Sequence, residues 1–215
     1  MKIALFGVSG MIGQRIAQEA LQRGHHVTGI VRDPSRVSLT HTNLNVVRGD
    51  VLDPAQVANV VKDHDVVVAS IQPQFAKGET NVHMFIDAAH SLHTGLNQAA
   101  VKRLIVVGGA GSLEVAPGVQ LIDTPEFPED WKPLAASLRD ALNVYRTFDD
   151  LDWTFISPAA LIEPGQRTGS YRTATDQLIT DDQGQSRISA EDYAVALIDE
   201  IENPSYVQRR FTAAY

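Results

Sequence analysis

The chain has 215 residues, 44% of them hydrophobic and 20% charged, which is the composition of an ordinary globular domain. Its formal net charge of −8 disfavours general binding to nucleic acids or to anionic membranes. The sequence has no cysteine, which excludes disulfides, thiolate metal ligands and cysteine nucleophiles.

The first residues and the apolar runs of the sequence indicate where the protein works. Met1 and Lys2 lead directly into the first predicted strand, which leaves no room for a signal peptide. No apolar run in the sequence approaches the roughly 18 residues of a membrane span. We therefore expect a cytoplasmic protein, a monomer or weak homo-oligomer, whose partner is a small-molecule substrate rather than nucleic acid or a membrane.

A short apolar run, a turn with three evenly spaced glycines and an amphipathic helix open the chain. The run at 2–6 is typical of a buried strand. The first N–H groups of the helix lack internal partners and the helix dipole is positive there, so this unit predicts an anion site. Gly7 would allow the sharp turn, Gly10 would admit a pyrophosphate and Gly13 would let the helix pack tightly. Ser9 would add a hydroxyl donor.

The same glycines would also suit an ordinary strand-to-helix turn. A second apolar run at 27–31 completes a βαβ unit and favours a bound dinucleotide. Arg32 ends this run, where arginine suits the 2′-phosphate of NADP and an acid would suit the ribose of NAD. We therefore predict NADP as the preferred cofactor, with NAD as the other choice. The alternative is that Arg32 is a solvated charge while Asp33 caps the turn at Pro34.

Strands and helices alternate in the prediction as far as residue 157. Beyond the first βαβ unit, strands are predicted at 44–47, 65–70, 103–107 and 152–157, and helices at 54–62, 81–100 and 131–148. This alternation predicts an α/β fold of the Rossmann type, a doubly wound, mostly parallel sheet with helices on both faces. Ligands of such sheets bind at the carboxyl ends of the strands, where Asp50 and Val51 could edge an adenine.

A second glycine cluster, at 108–111, ends the fifth predicted strand and would let a flat ring or a backbone come close. The long segment at 112–130 contains three prolines and is interpreted as a wall of the substrate pocket. Phe127 and Trp131 could stack on a planar substrate, or they could anchor the loop to the core.

The last third of the chain contains only short predicted elements. Residues 177–180 and 186–188 predict a small hairpin, and residues 189–192 resemble a capping box that opens a helix. No linker divides the sequence. We therefore expect residues 1–215 to form a single NAD(P)-binding Rossmann domain, in which the part from about residue 158 adds a small lobe over the substrate.

His90 and His93 lie three residues apart on a predicted helix and could in principle share a metal ion. Neither a carboxylate motif nor a cysteine accompanies them in the sequence. We interpret both as surface imidazoles and predict no metal site.

Segments spread over nearly the whole chain resemble the atypical short-chain dehydrogenase/reductases, the NmrA-like and NAD(P)H-binding group. The resemblance rests on the segments 7–13, 31–33 and 49–51. Three later segments are similar to the NADH-flavin reductase subfamily, which is akin to the biliverdin-B/flavin reductases: 108–113, 152–158 and 163–165.

The resemblance implies a set of contacts with a dinucleotide. It implies pyrophosphate contacts at Ser9, Gly10, Met11 and Ile12, a 2′-phosphate contact at Arg32, and adenine contacts at Asp50 and Val51. The nicotinamide would be lined by residues that follow three further strands: Ser70, Ile71, Gly108, Gly109, Pro158, Ala159 and Ala160. A flavin would be a possible substrate.

The sequence departs from the family in its catalytic acid. Typical members use a Tyr-x-x-x-Lys pair, in which the lysine lowers the tyrosine pKa so that the tyrosine can protonate a carbonyl oxygen. None of the tyrosines here is followed by lysine at that spacing. Ser112 and Lys132 are candidates for a catalytic role, against the alternative of a loop hydroxyl and a surface lysine.

Hydride transfer to a flavin requires orientation and exclusion of water, and its proton can come from water. We therefore expect an NAD(P)H-dependent reductase that acts on a flavin or a similar flat conjugated acceptor. The alternative is a non-catalytic NAD(P)-binding sensor of the NmrA type. A third hypothesis is an isomerase that uses another acid/base pair.

Overall fold

The computed structural model describes residues 1–72 and 83–215. Its strands are β1 (Lys2–Phe6), β2 (His26–Val31), β3 (Leu44–Arg48), β4 (Val66–Ala69), β5 (Arg103–Val107), β6 (Glu114–Ala116), β7 (Val119–Gln120), β8 (Asp152–Ser157), β9 (Leu161–Glu163), β10 (Arg172–Ala174), β11 (Arg187–Ser189) and β12 (Arg209–Ala214). Its α-helices are α1 (Met11–Gln22), α2 (Pro54–Val61), α3 (Met84–Ala99), α4 (Lys132–Tyr145) and α5 (Ala190–Glu202).

Eight strands form the central sheet, in the order β10-β12-β8-β5-β4-β1-β2-β3. Its neighbouring strands run parallel except for β10, which pairs antiparallel with β12. The chain winds from β1 outward through β2 and β3, then returns to the other side of β1 as β4. The predicted doubly wound Rossmann-type fold is confirmed, and its change of direction lies between β1 and β4, where such folds bind ligands.

Helices cover both faces of this sheet. Ile3 and Leu5 of β1 belong to a buried cluster with α1 and α5, whereas Ala4 and Phe6 belong to a second cluster with α2, α3 and α4. Strands buried on both faces carry apolar side chains at successive positions. That double burial explains why the central strands appear as continuous apolar runs in the sequence.

The predicted hairpin in the last third is wrong. The turn itself is present, since the Asp181 carboxylate accepts hydrogen bonds from the backbone N–H groups of Gln183 and Gln185. The Asp181 N–H donates to the Gln185 carbonyl and closes the turn, but the segments 177–180 and 186–188 do not pair as strands, because Leu178 donates its N–H to Glu114 and β11 pairs in parallel with β9. Ile188 of β11 is buried in the α1/α5 cluster. Burial against the sheet therefore overrides the local turn in choosing the strand partners.

Only half of the predicted capping box at 189–192 forms. Ser189 caps α5 by accepting the Asp192 N–H at 3.0 Å, as predicted. The buried Asp192 carboxylate turns away and accepts four hydrogen bonds, from the N–H and hydroxyl of Thr168, the N–H of Gly169 and the hydroxyl of Tyr215. Asp192 thus ties α5 to the preceding loop and to the last strand.

The predicted helix at 81–100 begins at Met84 in the structure, and its first two predicted residues lie outside the described part of the chain. His93 stacks on Phe148 and shares a hydrogen bond with Asp150. Among residues 1–72 and 83–215, no helix combines the length and apolar character needed to cross a membrane.

Candidate functional site

The first glycine turn is closed by backbone contacts that leave no space for a side chain. Gly7 has a φ of +83°, and a Cβ at this position would lie 1.9 Å from the carbonyl oxygen of Ser70. A Cβ on Gly13 would lie 2.1 Å from the carbonyl oxygen of Gly7. Glycine is therefore required at both positions, because the end of β4 and the start of α1 press directly on the turn.

Gly10 faces the opposite situation, at an open helix end. It is the N-cap of α1, is exposed, and provides no side-chain cap for the helix. A Cβ there would meet only the Gly7 carbonyl oxygen, at 3.3 Å. The first backbone N–H groups of α1 therefore have no side-chain partner, and they lie at the positive end of the helix dipole. This geometry fits a pyrophosphate held by backbone amides.

The residues around Gly10 leave the approach to the helix end open. Met11 is 38% exposed, Ser9 and Ile12 are half-buried, and the Ser9 carbonyl accepts a hydrogen bond from the Gln14 side chain. No charged side chain occupies the first turn of α1. The predicted pyrophosphate contacts of these residues stay a prediction.

The end of β2 carries an arginine and a carboxylate at successive positions, Arg32 and Asp33. Asp33 caps a short 3-10 turn by accepting the N–H and hydroxyl of Ser35 at 3.1 and 2.7 Å. These bonds, helped by the nearby charges of Arg36 and Arg48, lower the Asp33 pKa. The cap at Asp33 is present, as the alternative interpretation of this strand end predicted, and Arg32 is exposed. The 2′-phosphate contact of Arg32 stays a prediction.

Asp50 and Val51 directly follow β3, which is an edge strand of the sheet. The Asp50 carboxylate accepts a hydrogen bond from the Leu52 backbone N–H at 3.0 Å. The backbone N–H of Asp50 donates to the side-chain oxygen of Gln56 at 3.2 Å. Val51 is half-buried against the cluster that contains α2 and α3. The turn is therefore rigid enough to edge a ring, and contact with adenine stays a prediction.

The predicted nicotinamide residues gather at the carboxyl ends of three neighbouring strands. Ser70 and Ile71 follow β4, Gly108 and Gly109 follow β5, and 158–160 follows β8. Of these residues, Ser70, Pro158 and Ala159 are buried and Ala160 is exposed. The topology thus brings the predicted set to one edge of the sheet.

The second glycine cluster has a packing cause that the sequence did not reveal. A Cβ on Gly108 would lie 1.9 Å from the Phe155 ring, and a Cβ on Gly109 would lie 2.8 Å from Leu138. A Cβ on Gly111 would lie 2.7 Å from the Ala135 side chain. Side chains of β8 and α4 therefore already fill the space that we expected these glycines to keep open.

The two candidate catalytic residues are each engaged with a different partner. Ser112 is buried and accepts hydrogen bonds from Arg210 at its hydroxyl, 2.8 Å, and at its carbonyl, 3.0 Å. Lys132 begins α4 and pairs with Glu129 at 2.6 Å. Both catalytic roles stay predictions. Trp131 is 64% exposed, which leaves its ring free to stack.

The tyrosines of the chain serve as structural groups. Burial raises the pKa of both Tyr145 and Tyr193, and the Tyr193 hydroxyl donates to the Ile156 carbonyl at 2.7 Å. Tyr171 donates to Asp199 and Tyr215 donates to Asp192. Tyr145 and Tyr193 are therefore core residues, and the hydroxyls of Tyr171 and Tyr215 are each engaged with a carboxylate.

Sequence reasoning missed the buried Arg210, which contacts both Ser112 and Asp176. The available signal was an arginine at the start of an otherwise apolar terminal strand. Its partners lie 98 and 34 residues away, so no local pattern connects them.

A sequence family described as NAD(P)H-binding matches residues 7–204. Three solved structures are similar along the chain. A "Putative exported protein" from Burkholderia pseudomallei is 49% identical over 100% of both chains, with a TM-score of 0.90. A "putative epimerase" from Bacteroides thetaiotaomicron is 41% identical over 100% of this chain and 96% of its own, with a TM-score of 0.91.

The third structure is a "putative NADH-flavin reductase" from Streptococcus pneumoniae TIGR4. It is 32% identical over 100% of this chain and 99% of its own, with a TM-score of 0.86. Two of these names give different reactions, an epimerase and a reductase, and the third gives none, so the choice of chemistry for this chain rests on its site.

Proposed function

This chain belongs to the NAD(P)H-binding family, and we therefore propose that it is a reductase that passes hydride from NADPH, or from NADH, to a flavin or a similar flat conjugated acceptor. The observation that carries the proposal is the uncapped start of α1 beside the change in strand order. We also retain a cytoplasmic location and a monomer or weak homo-oligomer as predictions.

Protein groups would hold and orient the dinucleotide. Backbone amides at 9–13 would bind the diphosphate, Arg32 would contact a 2′-phosphate, and the turn at 50–51 would edge the adenine. When bound, the reduced nicotinamide supplies the hydride. The strand ends at 70–71, 108–109 and 158–160 would fix the plane of the ring and exclude water from one side of it.

The tyrosine geometry favours an acceptor that needs no acid from the protein. Reduction of a carbonyl requires a proton at its oxygen, and the buried Tyr145 and Tyr193 are poor donors because burial raises the pKa of each hydroxyl. A reduced flavin can take its proton from water. This difference supports the flavin-type acceptor over epimerase or alcohol dehydrogenase chemistry, as does the name of the Streptococcus relative.

The test mixes purified protein with NADPH or NADH and, in turn, FMN, FAD, riboflavin and a quinone. We expect loss of the nicotinamide absorbance band with at least one acceptor, and faster loss with NADPH than with NADH. Free nucleotide and acceptor without protein provide the background rate. Absence of oxidation with every acceptor would refute the reductase.

The same panel tests the second candidate, a non-catalytic sensor of the NmrA type. The missing tyrosine–lysine pair suits a sensor as well as a flavin reductase. Tight nucleotide binding measured by calorimetry, together with no turnover of any acceptor, is the result that a sensor requires. Absence of nucleotide binding would contradict both functions.

A further inference from the structure

A cavity lies on the face of the sheet that packs against α4, which is opposite to the face that packs against α1. Its volume is about 200 Å³, and it is lined by residues of α4, of the β6–β7 region and of β12. Arg210 forms part of its wall and is in register with Phe155 of β8, so both side chains point to the α4 face. A cavity of this size is too small for a dinucleotide and suits a small polar group.

Arg139 of α4 and Arg146, which directly follows α4, bring positive charge to this cavity, and each has only a long ion pair to a carboxylate. Arg139 lies 3.8 Å from Asp140, and Arg146 lies 3.6 Å from Asp176. Both distances exceed a charge-assisted hydrogen bond. Asp176 is already bound by the buried Arg210, which also holds Ser112. Arg210 therefore already compensates much of the negative charge of Asp176, and the attraction of Arg146 to Asp176 is correspondingly weak.

Two side-chain amides add hydrogen-bond donors to the same cavity. The Gln120 oxygen accepts from Arg139 at 3.5 Å, and the Asn143 oxygen accepts from Arg146 at 3.2 Å. Since each amide oxygen faces an arginine, each amide NH₂ remains available as a donor. The lining carries three arginines, Arg139, Arg146 and Arg210, against two acids, Glu114 and Asp176, so its cations outnumber its carboxylates by one.

We propose that this cavity binds a small oxyanion, such as a phosphate or carboxylate group, through Arg139 and Arg146. The two arginines are seven residues apart, which places them about 10.5 Å apart along one helix face. The planar guanidinium forks match the oxygens of such a group, and the amide NH₂ groups of Gln120 and Asn143 complete the donors. None of the residues that we assign to nucleotide binding lines this cavity, although the catalytic candidate Ser112 does, and the proposal does not depend on the reductase proposal.

The test is calorimetric titration of the protein with inorganic phosphate and, separately, with malonate at low ionic strength, because partly exposed charges are screened by salt. We expect saturable binding of at least one anion. Arg139→Gln and Arg146→Gln should each weaken it about tenfold. Glu114→Gln should tighten it about threefold, because a like charge is removed. The phosphate and malonate arms distinguish a phosphate-bearing from a carboxylate ligand.

Arg209→Gln is the matched control, since Arg209 adjoins Arg210 in β12 but points to the opposite face. It should leave the affinity unchanged. Binding that survives both Arg139→Gln and Arg146→Gln would place the anion elsewhere, for example at the glycine turn, and would overturn the proposal. Absence of saturable binding of both anions would also overturn it. The gain of affinity in Glu114→Gln cannot result from misfolding, so it separates the proposal from a loss of structure.

Discussion

The two glycine clusters of this chain follow neighbouring regions of one sheet edge, yet they use glycine for different reasons. At 7–13 the closest atoms to an added Cβ are backbone carbonyl oxygens, at Gly7 and Gly13, and the helix end beside Gly10 is open. At 108–111 the closest atoms belong to the side chains of Phe155, Leu138 and Ala135. The first cluster allows close backbone contacts beside an open helix end, whereas the second accommodates core side chains.

This difference teaches that a glycine-rich strand end is not by itself a ligand site. A clash between a new Cβ and a backbone atom cannot be relieved by a second substitution. A clash with a side chain can be relieved by replacing that side chain with a smaller one. The two clusters should therefore respond differently to the same Gly→Ala change.

The largest effect is expected for Gly7→Ala. The new Cβ would meet the Ser70 carbonyl at 1.9 Å while φ is +83°, so we expect a loss of about 3 kcal/mol or more in the free energy of unfolding. Gly24→Ala is the control, because Gly24 also has a positive φ but no atom within 4 Å of the added Cβ. It should cost only about 1 kcal/mol. Urea denaturation measures both, and equal losses would contradict the role of the backbone contact.

Gly108→Ala should come next, with a loss of about 2 kcal/mol, because its Cβ would meet the Phe155 ring at 1.9 Å. Adding Phe155→Leu should recover part of that loss, and a double-mutant cycle measures the coupling. Strictly additive losses would show that the ring is not the obstacle.

Gly10→Ala tests the open part of the first cluster. Its Cβ contact at 3.3 Å is mild, so the free energy of unfolding should change by less than about 1 kcal/mol. NADPH affinity should fall about tenfold, because the Cβ would stand between the backbone amides and the diphosphate. Fluorescence titration measures the affinity, with Gly24→Ala as the control. An unchanged affinity would remove the diphosphate from this turn.

The smallest effect is expected for Arg32→Ala, because Arg32 is exposed and its charge is screened by solvent. NADPH affinity should fall about fivefold, while NADH affinity should stay nearly the same. Arg36→Ala on the neighbouring turn is the matched control. An equal loss for both nucleotides in Arg32→Ala would refute the 2′-phosphate assignment.

Features that depend on residues close together in the sequence could be predicted, whereas features that depend on residues far apart in the sequence could not. The βαβ start was predictable because a strand, three glycines and a helix are consecutive in the sequence. The pairing of β11 with β9 was not, because it depends on where Ile188 finds an apolar surface. The packing of Gly108 against Phe155 joins residues 47 positions apart, and local patterns carry no trace of it.

The candidate site divides in the same way. The glycine turn and the helix that follows it need only local backbone geometry and were predicted, and the cap at Asp33 was predicted as part of the alternative to a 2′-phosphate contact. The engagement of Ser112 by Arg210 needs the completed sheet, because the two residues are 98 positions apart. Catalytic candidates chosen by residue type alone therefore carry less information than cofactor contacts chosen by backbone shape.

The buried Asp192 makes one loop of the protein sensitive to acid. Burial opposes the carboxylate charge, but hydrogen bonds from Thr168, Tyr215 and Gly169 outweigh it and lower the Asp192 pKa. The stabilisation is therefore complete above the ordinary carboxyl pKa and disappears as the pH falls through the lower folded value. Hydrogen exchange at the amides of Thr168 and Gly169 should therefore gain on exchange in the central strands only at a pH below the ordinary carboxyl pKa, where this contact is the first to loosen.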